Sequence, residues 1–218
     1  MYTSTLVLLL LGTPFSFQDN VPNETSLEIA RLITARAEGA GLTLNGISHR
    51  QPRLEEEGFT ELRTYLGFDG DDQKLQAFLN ALDEAPINFG VESLNLSSRR
   101  ETGKRAPLHG HMVLMIPARK GFPIKKGHDE IKGYDTQMVR ALLNSVRALM
   151  NENHRLVSLV IKERNQVTLF VDTRESQSLS QALKEMSLIA DLKLRAKPGR
   201  EPGSPKRIIA TAILQFGE

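Results

Sequence analysis

Apolar residues in the first half of the chain alternate between helical and strand-like spacing. From Thr25 they recur every three or four positions, and Thr25 with Glu28 has the form of a capping box. Alternating apolar and polar positions predict strands. The predicted elements of this half are helices that begin at Thr25 and at Asp71 or Asp72, and strands over residues 42–49, 59–68, 89–96 and 108–117.

The same order of elements recurs in the second half. Between the halves, residues 118–133 break the periodicity with three Gly, one Pro and five Lys or Arg, which predicts a linker. The predicted elements of this half are helices that begin at Asp135 or Thr136 and at Ser176, and strands over residues 156–162, 167–171, 192–196 and 208–216. Each half is therefore predicted in the order helix, strand, strand, helix, strand, strand.

This repeat predicts an α+β protein of two tandem ferredoxin-like α/β sandwiches. In each half two helices cover one face of a four-stranded antiparallel sheet. The predicted division is an apolar N-terminal segment (1–24), a first domain (25–117), a linker (118–134) and a second domain (135–218).

The N-terminal segment leaves three interpretations open. The first 18 residues carry no charge, and Leu6 to Leu11 is an unbroken aliphatic run. The apolar part of this segment has the length of a signal-peptide core, but the segment lacks a positively charged N-terminal region and an A-x-A cleavage site. The segment is a signal or membrane anchor, the tail of a transmembrane helix that begins upstream, or a buried N-terminal strand or helix. The first two place the rest of the chain outside the cytoplasm.

Composition excludes several kinds of chemistry. The chain has no Cys, so disulfides, thiolate metal sites and thiol nucleophiles are excluded. It has no Trp and only 6% aromatic residues, and its net charge is +2, which argues against a nucleic-acid partner. Phosphate-binding, nucleophile-elbow and zinc-protease motifs are absent from the sequence. The sequence therefore predicts no enzyme and no cofactor.

The five histidines are the main candidates for a metal site. His109 and His111 lie two apart on one predicted strand and therefore share a face. No third ligand lies nearby in sequence, so we predict that they bind no metal. His49, His128 and His154 lie near predicted turns or strand ends and are expected to be exposed.

Charged clusters are interpreted as solvated loops or helix caps. Asp69, Asp71 and Asp72 lack the spacing and closing Glu of a calcium loop, and capping explains them better. The clusters interpreted as loops are Glu55 to Glu57, Arg99-Arg100, Lys104-Arg105, Lys125-Lys126 and Lys197 to Arg200.

The run LQAFLNALDEAPINFGVESLNLSSRR, followed by LHGHMVLMIPAR, resembles a known family. It is similar to the periplasmic domain of the M-type inner-membrane platform proteins of type II secretion and of the PilO proteins of type IV pilus assembly. The preceding LEIARLITARAEGAGLTLNGI resembles their opening helix and strand. The second half, through RLVSLVIKERNQVTLFVDTRESQSLSQALKEMSLIADLKLR and IIATAILQF, is similar to the PilN and L-type domains.

The resemblance implies a non-enzymatic periplasmic protein, anchored in the inner membrane, that forms homodimers or heterodimers with similar domains. It carries over no catalytic residue. The chain departs from the family in having two such domains and no full-length membrane helix or coiled-coil stalk. The alternatives are a ligand-binding or sensing module that uses the cleft between the domains, and a hydrolase whose site the sequence does not reveal.

One strand is a candidate for the contact. Phe89 and Val91 are apolar in one phase of the predicted strand, and Leu94 and Leu96 are apolar in the other. Covering one face of a sheet would not bury all four, which predicts an interaction strand. The alternative is a β-bulge that turns both pairs into the core.

Overall fold

Four helices pack on one face of a large antiparallel sheet in the computed structural model. It describes residues 23–50, 59–98, 107–119, 122–123, 134–162, 165–197 and 205–215. The helices are α1 (Asn23–Gly39), α2 (Asp72–Asp83), α3 (Thr136–Leu149) and α4 (Ser176–Lys184). The strands of the first half are β1 (Thr43–Arg50), β2 (Phe59–Gly70), β3 (Gly90–Ser98), β4 (Leu108–Arg119) and β5 (Phe122–Pro123). They are followed by β6 (Tyr134–Asp135), β7 (His154–Lys162), β8 (Gln166–Thr173), β9 (Ile189–Lys197) and β10 (Lys206–Leu214).

The strands form one continuous sheet in the order β1-β2-β4-β3-β7-β8-β10-β9. The short strands β5 and β6 pair with β4 and β3. Every pairing is antiparallel. Each half contributes its four long strands in the same spatial order, namely first, second, fourth, third.

Alternation of side chains creates a covered face and an open face. A row of directly paired residues crosses the sheet on the covered face and joins the hydrophobic cores of both halves into one cluster. The row consists of Ile47, Leu66, Met112, Leu94, Ile161, Val167, Ala212 and Leu192. All of these are buried except Leu192 at the outer edge, which is half-buried.

Helix ends follow local sequence signals, with two corrections. Asp71 caps α2, since its Oδ1 accepts from the Lys74 backbone N–H at 2.9 Å. Gly41, at φ 70°, ends α1 with the paired backbone bonds of a Schellman motif. However, α1 begins at Asn23, so Thr25 is a buried residue of its first turn and not its cap. Ser176 is the first residue of α4, one position after its cap, Glu175.

The predicted linker is bounded by two buried residues. Ala118, in β4, is fully buried, and Tyr134, in β6, is 3% exposed. Residues 120–121 and 124–133 lie outside the described residues, as do residues 1–22 of the predicted N-terminal segment. None of the helices that the structure describes combines the length and the hydropathy that a membrane crossing requires.

Candidate docking surfaces and junction cavity

The two halves meet along a pair of strands and a pair of helices. β3 pairs with β7, which places Leu94 opposite Ile161 and Leu96 opposite Leu159, all four fully buried. β6 adds to this contact because the Tyr134 hydroxyl donates to the Lys162 carbonyl at 2.6 Å. Burial raises the pKa of that hydroxyl above its usual value. Apolar burial and backbone hydrogen bonds thus hold the junction together.

The helices α2 and α3 add polar contacts above this strand pair. Gln76 Nε2 donates to Asn144 Oδ1 at 3.1 Å and to the Arg140 carbonyl at 3.3 Å. About one helical turn away, at the N-terminal end of α2, the Arg147 guanidinium lies 2.9 Å from the Asp72 carboxylate. These contacts join residues more than 60 positions apart in the chain, so no local pattern predicts them.

The predicted interaction strand lies inside this junction. Phe89, Val91, Leu94 and Leu96 are at most 4% exposed and belong to the shared core. The register of β3 against β4 shifts between Val91 and Ser93, which is the bulge that the sequence left open as the alternative. Both sides of β3 are paired, by β4 on one side and by β6 and β7 on the other. Leu94 and Leu96 therefore pair with the second half of the same chain, and Phe89 and Val91 lie in the core that the two halves share.

A cavity of about 410 Å³ opens at one end of the junction. Its apolar lining comes from both halves and consists of Leu75, Leu96, Leu108, Leu143, Val146, Met150 and Leu156. Polar groups around it include the Asp72–Arg147 pair, Ser98, Asn151 and His154. The size falls within the range of ligand pockets, about 300–1,000 Å³.

His154 and His49 are buried, which corrects the expectation that both are exposed. Each forms a cross-strand pair with a threonine on the covered face. His154 Nδ1 lies 2.7 Å from Thr173 Oγ1, and His49 Nδ1 lies 2.8 Å from Thr64 Oγ1. His154 has its ring beside the cavity. His49 Nε2 is buried and has no hydrogen-bond partner among the described residues, and burial lowers the pKa of this imidazole to about 4.

His109 and His111 lie on the open face, as their spacing predicts. His109 Nδ1 contacts the Asp69 carboxylate, whose other oxygen accepts from Asn45 Nδ2 at 2.7 Å. His111 is exposed beside Gly67. Within the described ranges no three His, Cys, Asp or Glu side chains gather closely enough to hold a metal ion. Asp69, Asp71 and Asp72 each have a different structural role. Asp69 pairs with His109, Asp71 caps α2, and Asp72 pairs with Arg147.

β1 and β9 form the two ends of the main strand order. The register of β1 against β2 is interrupted between Leu44 and Gly46, and the inward side chains of Ile47 and His49 are already buried. β9 differs because Lys193, Arg195 and Lys197 are exposed along it. Other predicted charged loops and His128 lie outside the described residues; they are Glu55 to Glu57, Arg99-Arg100, Lys104-Arg105, Lys125-Lys126 and residues 198–200.

Comparison with solved structures finds a similarity to a protein of fimbrial assembly. The chain is similar to the crystal structure of the type 4 fimbrial biogenesis protein PilO from Pseudomonas aeruginosa, with a TM-score of 0.37 and 17% sequence identity. The similar region covers 44% of this chain and 71% of that chain. No protein-family model and no curated protein matches the sequence.

Proposed function

We propose that this protein is a non-enzymatic structural component of a bacterial type II secretion or type IV pilus inner-membrane platform that acts by protein–protein docking. In this proposal residues 25–117 and 135–218 are two ferredoxin-like units in the periplasm, and residues 1–24 tether them to the inner membrane or direct their export. The partners are a second copy of the chain or similar platform domains.

The pairing of β3 with β7 is the observation that carries the proposal. It joins two units of the same element order edge to edge, with α2 packed on α3 beside the strands. Sheet-edge pairing with a helix contact is a recurrent way for proteins to dock. The chain thus contains, between its own halves, the kind of contact that we propose it makes with other proteins.

The strand order supports the assignment of the units. A ferredoxin-like unit has the order β-α-β-β-α-β. Moving its first strand to the end of the chain gives helix, strand, strand, helix, strand, strand, with the strands side by side as first, second, fourth, third. Both halves have this order. The sequence resemblance to platform domains is a separate line of support, and a fold of this kind does not by itself assign a function.

Association of the purified chain tests the proposal. Sedimentation velocity over a wide concentration range, alone and with the proteins encoded by neighbouring genes, should reveal a dimer or a stable heteromeric complex. A strict monomer at all concentrations that binds none of those proteins would exclude the docking function.

The junction cavity favours a second candidate function, ligand binding in the cleft between the halves. Among the described residues seven apolar side chains line the cavity, and His154 and the Asp72–Arg147 pair place polar groups beside them. Calorimetric titration with decanoate, decanol and decyltrimethylammonium tests this function. Saturable binding of one amphiphile, abolished when Leu156→Trp fills the cavity, would support it, and equal weak responses to all three would exclude it.

A further inference from the structure

The edge strand β9 carries a regular row of positive charge. Lys193, Arg195 and Lys197 alternate along it and are exposed on the open face of the sheet, where a single acidic residue, Asp191, precedes them. Their spacing is about 6.6–6.8 Å, twice the rise per residue of a strand. The register of β9 with β10 is unbroken from Lys197 to Asp191. This edge is therefore straight enough to receive another strand along most of its length.

On the covered face the same strand carries apolar residues whose burial is incomplete. Leu192 and Leu194 pack against the core but are only half-buried. α4, which contacts β9, has nine residues and leaves this edge partly open. At the opposite edge Ile47 and His49 are already at most 8% exposed. Adding a strand beside β9 would therefore bury apolar surface that the chain itself leaves accessible.

An acidic strand fits this edge better than a second copy of the chain does. Full antiparallel overlap of two β9 strands would place the two Lys193 side chains opposite each other, Asp191 of each copy opposite Arg195 of the other, and Lys197 opposite Ile189. Like charges directly opposite each other destabilise a strand pair, and charged residues on edge strands commonly limit self-pairing. A self-pair thus gives an acidic partner only to Arg195, whereas an acidic strand gives one to all three cations.

We propose that β9 receives an extended segment of a partner protein in which apolar and acidic residues alternate, and that this segment adds a strand to the sheet. The apolar residues cover Leu192 and Leu194, while the acidic residues pair with the three cations on the open face. Backbone hydrogen bonds to the side of β9 that pairs with no strand in the described part of the chain supply binding that does not depend on sequence. The inference rests on the proposed docking function and assigns to it a surface and a partner chemistry.

Blocked nine-residue peptides that carry a fluorophore test the proposal directly. The probe alternates valine with glutamate; one control replaces every glutamate with lysine, and another is the probe N-methylated at alternate residues so that one hydrogen-bonding edge is lost. Fluorescence anisotropy should show saturable binding of the probe and binding at least about tenfold weaker for each control. Amide hydrogen exchange should slow along β9 when the probe binds.

Matched variants of the protein separate strand addition from general charge attraction. The double variant K193E/R195E should bind the glutamate probe at least about tenfold more weakly than the parent protein does, and it should bind the lysine peptide more tightly. The variant R31E/K184E makes the same change of charge at exposed helix positions and should bind the probe like the parent protein. The proposal would be overturned if both variants lost the same affinity for the glutamate probe, or if the N-methylated peptide bound as tightly as the probe.

The outcomes also distinguish this inference from the docking function on which it rests. If K193E/R195E still forms the dimer or heteromeric complex of the parent protein and no probe binds, β9 is not the docking edge, but the docking function stands. If the chain is a strict monomer without partners, the docking function fails, whatever the peptides do, and the proposal that β9 serves a partner fails with it.

Discussion

Leu94 in β3 lies directly opposite Ile161 in β7, and both side chains are fully buried. The pair is at the centre of the row that runs across the covered face from β1 to β9. Its position means that the strand predicted as an external contact is a structural element of the junction. Substitutions there should alter folding before they alter association.

The variant Leu94→Asp places a carboxylate in this core. We expect the free energy of unfolding to fall by about 3–5 kcal/mol, because a charge would be buried without a partner. Urea denaturation measures the change. Asn95→Asp introduces the same charge at an exposed position of the same strand and should change stability by less than about 0.5 kcal/mol. If the Leu94→Asp protein is folded, has unchanged stability and associates more weakly, the interpretation of β3 as an external contact would be supported instead.

Several features of the fold were predictable because they depend on local periodicity. The four helices and the eight long strands lie where apolar spacing predicts them, within a few residues at their ends. The bulge of β3 could be inferred from the change of apolar phase between Val91 and Leu94. The burial of His49 was also within reach, since it shares the phase of Ile47, but its closeness to the strand end suggested exposure.

The junction was not predictable in this way. The contacts of Gln76 with Asn144 and of Leu94 with Ile161 join segments more than 60 residues apart. Nothing in either segment specifies the other, because an apolar strand is compatible with many partners. The cavity depends on the same long-range packing. Sequence patterns therefore predicted the elements of each half but not the single sheet that they form together.

His49 predicts a loss of stability in acid. Its pKa is about 4 in the folded protein and near 6.5 in the unfolded chain, so between these values the unfolded state binds more protons. The stabilisation is fully present above pH 6.5 and is lost as the pH falls toward 4. The decrease in the free energy of unfolding from pH 7 to pH 4 should be about 3 kcal/mol smaller in His49→Gln than in the parent protein. The exposed His111→Gln should retain the full drop, and identical profiles for both variants would contradict this origin.

Asp72 and Arg147 should contribute little to stability, even though they join the two halves. Their side chains are 32% and 41% exposed, so water screens the ion pair. A double-mutant cycle with Asp72→Asn and Arg147→Met should give a coupling of about 0.3–1 kcal/mol in low salt, and less in 1 M salt. Asp72→Asn combined with Lys184→Met, in a different helix, should show no coupling. A value several times larger would indicate that this pair is a principal element of the junction.

Cutting the chain between the halves tests how strongly the junction holds. A specific protease site placed between residues 124 and 133, outside the described elements, allows cleavage after folding. Because β3–β7 pairing and α2–α3 packing bury a shared apolar core, we expect the fragments to co-elute and to melt in one transition. Size-exclusion chromatography and calorimetry measure this. Leu94→Asp in the same background should release the fragments, whereas Asn95→Asp should not. Separation of the unmutated fragments into two folded monomers would show that the halves are independent domains and that the sheet contact between them is weak.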